Sequence, residues 1–309
     1  MNYNKKTDFF KSSNSKDNIK YFIYEPLSEI KAILQISHGM CEHIERYEHF
    51  ADVLCENGIL LCGHNHLGHK DSSSDENLGY FGHKNGYKVL VSDVKKLFDI
   101  VKEKYPNTDY FIMGHSMGSF ILRHFLATYP DIDLDGAIIC GTSGKNTASS
   151  FGIVLSKLIS LIKGRKYRSK FLTFLAFSSY TKNIKDLKTP HDWLTRDDKI
   201  VDIYRKDKYC MFTFTADGYK DLMTLLTKIS KKSHVKSFNK NLPIFVIGGD
   251  ADPVGNYGKG TLEVYNRIKA NGNKVFLKLY NGARHELINE TNKDEVFKDI
   301  IKFINTKEF

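Results

Sequence analysis

Three segments of the chain carry residue types that could together perform nucleophilic chemistry. Gly114-His115-Ser116-Met117-Gly118 follows an apolar run at 110–113 and precedes a helical stretch at 120–129. In a strand-to-helix turn of this kind, flanking glycines let the backbone pass closely and the central serine projects from the sheet edge. The free N–H groups of the helix onset lie beside it. A serine hydroxyl is a weak nucleophile at neutral pH, so a base and an orienting carboxylate must accompany it, in the chain order Ser, Asp or Glu, His.

Both follow. After an apolar run at 244–247 comes Gly248-Gly249-Asp250-Ala251-Asp252-Pro253-Val254, and after one at 275–279 comes Tyr280-Asn281-Gly282-Ala283-Arg284-His285-Glu286-Leu287. His285 is expected to take the Ser116 proton and return it to the leaving group, while a carboxylate fixes the imidazole tautomer. Asp250 and Asp252 stand two apart, and the loop could present either. An acyl-transfer site also needs donors for the oxyanion. Ser37-His38-Gly39-Met40 directly follows the run at 32–36, so the backbone N–H groups of Met40 and Met117 are the expected pair.

The elements that must position these groups can be read from periodicity. Short apolar runs at 21–24, 32–36, 59–62, 110–113 and 137–140 predict strands. Tyr47, Phe50, Ala51 and Leu54, then Tyr87, Leu90, Val91, Val94, Leu97, Phe98 and Val101, recur with helical spacing. The alternation resumes at 244–247, with helices near 261–270 and 296–304. Near-continuous apolar strands alternating with helices predict an α/β fold, a mainly parallel sheet with helices on both faces. The interval 143–235 breaks the rhythm and reads as a helical cap inserted into a core made of 1–142 and 236–309.

Composition excludes several classes. The 309 residues are 41% hydrophobic and 27% charged, as in an ordinary globular protein, and no apolar run reaches the ~18 to 20 residues of a membrane span. Met1 to Tyr21 is polar, with no apolar signal-like core, which sets the expectation of a cytoplasmic protein. Five scattered cysteines without a C-x-x-C pair argue against a disulfide framework or a zinc site, and His64, His66 and His69 have no cysteine or carboxylate cluster to complete a metal shell. Neither a metal nor a cofactor is expected. The formal net charge is +10, but 143–235 holds 19 Lys and Arg against 8 Asp and Glu, leaving the remainder close to neutral. No nucleic-acid module accompanies this charge, so nucleic acid is not an expected partner.

The sequence resembles the monoacylglycerol lipase and lysophospholipase branch of the serine α/β-hydrolases. The resemblance rests on His38-Gly39-Met40 with Glu42-His43 and Arg46-Tyr47, on Gly114 to Ser119, on Gly249-Asp250-Ala251-Asp252, and on Gly282-Ala283-Arg284-His285. It implies the α/β-hydrolase fold with a helical lid, and its G-x-x-D pattern assigns the acid to Asp252. Where the family reads D-H-R-G-H-G, this chain has Asn65-His66-Leu67-Gly68-His69-Lys70, so a loop has lost its charged pair. The implied activity is hydrolysis of single-chain lipid esters, monoacylglycerols or lysophospholipids, through an acyl-enzyme. A serine peptidase or amidase of the same fold, and a non-catalytic binding module, are the alternatives.

Within the insert, Phe151, Val154, Leu155, Leu158, Ile159 and Ile162 form one helical stripe, from which Phe151, Leu155, Leu158 and Ile159 are expected to contact the acyl chain. Lys163, Arg165, Lys166, Arg168 and Lys170 follow, and then another apolar run at 171–177. Cations between apolar runs are the arrangement of a segment that touches an anionic membrane surface peripherally.

Overall fold

The computed structural model describes residues 2–309, and the predicted apolar runs pair into one eight-stranded sheet. Its strands are β1 (Tyr3–Lys11), β2 (Asn18–Pro26), β3 (Ala32–Ser37), β4 (Ile59–His64), β5 (Asp109–His115), β6 (Gly136–Cys140), β7 (Ile244–Gly249) and β8 (Val275–Tyr280). They lie in the order β1-β2-β4-β3-β5-β6-β7-β8. The β1–β2 and β2–β4 pairs are antiparallel and all others parallel. The strand β1 escapes prediction because six of its nine residues in a row are exposed, and a charged edge strand has no apolar period to read.

Strands β3, β4, β5, β6 and β7 are buried throughout except for Asp109 at the start of β5, as a sheet covered on both sides requires. One face is covered by α1 (Glu48–Glu56) and α9 (Lys293–Thr306), through Phe50, Leu54, Phe297 and Phe303. The other is covered by α2 (Gly86–Lys104), α3 (Met117–Thr128) and α8 (Lys259–Ala270), through Leu97, Phe125 and Ile268.

The chain leaves β3 toward β4 on one side, while β5 lies on the other. That reversal opens a crevice at the carboxyl ends of β3 and β5, where ligands bind in open α/β sheets. Register brings Ser37 beside Gly114, His115 beside Cys140, and Gly249 beside Tyr280, so the loops after β3, β5, β7 and β8 emerge along one edge.

Between β6 and β7 lie α4 (Ser149–Lys163), α5 (Lys170–Phe177), α6 (Asp198–Lys206) and α7 (Ala216–Ile229). These do not form a wholly separate layer. Tyr219, Leu225, Leu226 and Ile229 of α7, together with Val235, belong to the same apolar cluster as α2 and α3. Helix α4 sits the other way round from a core-packed helix. Phe151, Val154, Leu158, Leu161 and Ile162 are exposed, while Ser149 and Ser156 are buried.

Candidate active site

Ser116 occupies the turn between β5 and α3 with φ 53° and ψ −120°, a left-handed conformation that costs a non-glycine residue of order 1–3 kcal/mol. Packing around the turn sustains it. A side chain at Gly118 would collide with the backbone carbonyl of Ser37, and one at Gly114 with the backbone of Gly118. Only glycine lets α3 start against β3. Ser116 N donates to Cys140 O at 3.0 Å, anchoring the turn to the neighbouring strand end.

His285 and Asp252 meet in the position the chemistry needs. His285 Nδ1 lies 3.0 Å from Asp252 Oδ2, and the other carboxylate oxygen accepts from Val254 N at 2.8 Å. Asp252 is 0% exposed and His285 1%. His285 Nε2 has no hydrogen-bond partner among the described residues, and His285 lines the same cavity as Ser116. Of the two aspartates, Asp250 faces elsewhere: its Oδ1 accepts from Gly282 N at 2.6 Å and steadies the β8 loop. The N–H groups of Met40 and Met117 find no acceptor among the described residues, and both residues line the same cavity.

A buried network behind these groups carries no role in the sequence reading. Glu42 accepts from the Gly39 N–H, from Tyr47 OH at 3.2 Å and from His115 Nδ1 at 2.8 Å. Arg46 reaches Glu42 at 3.2 Å and grips Glu286 with two bonds of 2.6 Å. His115 Nε2 lies 3.3 Å from His285 O. Burial alone would strip the charge from His115, but the Glu42 carboxylate outweighs it and raises the imidazole above its ordinary value. Burial likewise pushes Glu42 up, while His115, Arg46 and the Gly39 N–H together pull it below the usual carboxylate range. The three loops bearing Met40, Ser116 and His285 are thereby joined by one charged cluster. Its partners are up to 240 residues apart, so only the Glu42–Arg46 spacing was visible in the sequence.

The loop histidines take another part. His38, His64, His66 and His69 are all buried, and their ring nitrogens meet one another, the Ser37 hydroxyl and backbone, except His64 Nδ1, which has no partner among the described residues. His66 Nδ1 meets His64 Nε2 at 3.1 Å, His66 N donates to His38 Nε2 at 2.9 Å, and Cys41 N donates to His69 Nε2 at 3.3 Å. Burial pushes His64 down to about 3 and His69 to about 4, so these rings stay neutral and pack behind the loop bearing Met40. In the divergent loop, Asn65 Oδ1 accepts from Ile44 N at 2.9 Å.

The cavity over Ser116 has a volume of about 690 Å³, within the ~300–1,000 Å³ range of small-molecule sites. Of the four insert residues expected to contact substrate, Phe151 and Leu155 line it. Leu158 and Ile159 do not: Leu158 points outward at 52% exposure, and Ile159 packs against the main apolar cluster. The helix is rotated so that buried Ser156, rather than those two, completes the wall. Leu172, Phe174, Phe177, Trp193 and Met223 supply apolar wall that the α4 stripe alone did not suggest.

Residues 28–292 match the model of the family described as serine aminopeptidase, S33. The chain belongs to this family. Among its relatives are a monoglyceride lipase homolog of Monkeypox virus, 27% identical over 92% of this chain and 91% of the relative, and the monoglyceride lipase of Homo sapiens, 24% identical over 92% and 86%. The crystal structure of a thermostable carboxyl esterase from Bacillus coagulans, in complex with glycerol, superposes with a TM-score of 0.91 at 34% identity, covering 97% of this chain and 98% of the other. Family and fold together make the protein a serine α/β-hydrolase, similar to esterases and lipases. No helix among the described residues is long and apolar enough to cross a membrane.

Proposed function

We propose that the protein hydrolyses carboxylic esters of single-chain lipids, monoacylglycerols or lysophospholipids, through an acyl-enzyme on Ser116. Ser116 Oγ attacks the ester carbonyl carbon while its proton passes to His285 Nε2, and Asp252 stabilises the imidazolium. The Met40 and Met117 N–H groups hold the oxyanion. Collapse expels the glycerol or glycerophospho-alcohol, which takes the proton from His285. Water then attacks the acyl-enzyme by the same route, releasing the fatty acid and restoring Ser116.

The observation that carries this reading is the polarity of the cavity. Most of its lining residues are apolar or aromatic, Phe, Leu and Met foremost with Tyr, Trp and Ala, and this suits an acyl chain. An aminopeptidase needs an unpaired carboxylate to receive the substrate's α-ammonium group. The two acidic residues lining the cavity, Glu42 and Glu286, are already paired with His115 and Arg46. The relatives named as monoglyceride lipases point the same way.

The surface around the cavity favours delivery from a lipid interface. Phe151 of α4 and Phe174 of α5 line the cavity and are yet 68% and 63% exposed, and Val154, Leu161 and Ile162 of α4 are exposed as well. Exposed apolar area of this extent marks an interaction surface. The basic segment is only partly available to anionic headgroups: Arg165 donates to His83 O, Arg168 to the carbonyls of Asp75, Glu76 and Leu78, and Lys166 lies over Tyr80. Lys157, Lys163 and Lys170 are exposed and form no ion pair among the described residues.

The test is a matched panel of monoacylglycerol, lysophosphatidylglycerol, triacylglycerol and an aminoacyl amide. The first two should exceed the others in kcat/KM by at least about tenfold, ~1.4 kcal/mol of barrier. Amide turnover above ester turnover would transfer the assignment to a peptidase.

A further inference from the structure

We propose that His43, Asp207 and Cys210 form a site for a thiophilic divalent cation, zinc by donor type, that ties the oxyanion loop to the insertion. One ligand atom from each residue lies within 4.8 Å of the other two. Tetrahedral zinc, at ~2.0–2.3 Å from nitrogen, oxygen and sulfur, needs ligand atoms about 3–4 Å apart, so a small shift closes these three on one ion. Asp207-Lys208-Tyr209-Cys210 is a tight turn, with Cys210 N donating to Asp207 O at 3.0 Å. Two ligands separated by two residues in such a turn is the spacing of metal-binding knuckles. Asp207 Oδ1 is taken by Tyr209 N at 2.8 Å, which leaves Oδ2 toward His43.

The surroundings of His43 suit a ligating imidazole. His43 Nδ1 is 2.9 Å from Glu45 Oε2 and 3.4 Å from Lys70 Nζ, and Nε2 is 2.8 Å from Asp207 Oδ2. The contact to Glu45 is the arrangement in which a carboxylate fixes the tautomer of a ligating histidine and leaves its other nitrogen for the ion. The neighbouring cations are already neutralised, Lys70 by Glu45 at 2.7 Å and Arg46 by Glu286 and Glu42. Three of the other thiols meet oxygens, Cys41 at Phe212 O, Cys55 at Tyr24 O and Cys62 at Tyr110 OH, whereas Cys210 Sγ has no hydrogen-bond partner among the described residues. Cys210 lines the active-site cavity and the Asp207 side chain is partly exposed, so an ion has access. Because His43 lies three residues beyond Met40, the ion clamps the oxyanion loop to the segment at 207–210.

The test titrates the full chain with Co²⁺. A thiolate-to-cobalt charge-transfer band should grow to saturation at about one equivalent and vanish on adding Zn²⁺. Cys210→Ser should abolish the band, and Asp207→Asn should weaken Co²⁺ affinity at least about tenfold, the lower end of what disturbing a ligand's hydrogen-bonded carboxylate costs. Circular dichroism of both variants checks that they fold. Absence of the band in the unsubstituted protein, or its survival in Cys210→Ser, overturns the site.

Discussion

Replacing Asp252 by Asn tests the placement of the acid most sharply, because the structure specifies how the new amide would sit. Asp252 is fully buried, with Oδ1 held by Val254 N and Oδ2 facing His285 Nδ1. Val254 N still needs an acceptor, so the amide oxygen stays there and the NH₂ turns to His285. Nδ1 must then accept, which moves the ring proton to Nε2, the nitrogen required to take the proton of Ser116. The base is present but in the wrong tautomer. An equivalent substitution in a serine protease lowers kcat about 10⁴-fold, roughly 5.4 kcal/mol in barrier, and the same loss is expected here. Asp250→Asn keeps its carbonyl oxygen for Gly282 N and should change kcat less than about threefold. Steady-state hydrolysis of a short-chain chromogenic ester by both variants, with circular dichroism as the folding control, reads the difference. More than a tenth of the activity left in Asp252→Asn, or a larger loss in Asp250→Asn, would refute the reasoning.

Two further perturbations probe the scaffold and the surface. Gly118→Ala places a methyl group against the Ser37 carbonyl and should destabilise the fold by at least about 3 kcal/mol, seen as a lower thermal midpoint; an unchanged midpoint would contradict the close approach of α3 to β3. Vesicle co-sedimentation should favour anionic over zwitterionic lipid. Lys157, Lys163 and Lys170 contribute up to about 1 kcal/mol each, so changing all three to Gln should remove most of that preference, as should 1 M salt. Equal binding to both lipids would make the cations a solvated face.

The serine turn, the two following loops and the core strands were legible because each depends on local pattern: an apolar run, then the residues that its end must present. From spacing alone the carboxylate was legible only to a pair, and the family resemblance chose Asp252; spacing does not say that Asp252 turns to His285 while Asp250 accepts from Gly282 N. The charged cluster of Glu42, Arg46, His115 and Glu286 was illegible because tertiary folding brings its members together. Strand β1 failed for the opposite reason, being an exposed edge without periodicity. On α4 the apolar stripe was readable but its direction was not: amphipathicity says that one face differs from the other, not whether core, cavity or lipid covers it. Leu158 and Ile159 were misassigned on that account.

The central claim is that Ser116 forms the acyl-enzyme. Labelling the folded protein with a fluorophosphonate and locating the adduct by peptide mass spectrometry tests it directly. The account predicts stoichiometric modification of Ser116, abolished in Ser116→Ala and much slowed in Asp252→Asn. An adduct on another residue, or none on folded protein, would contradict it.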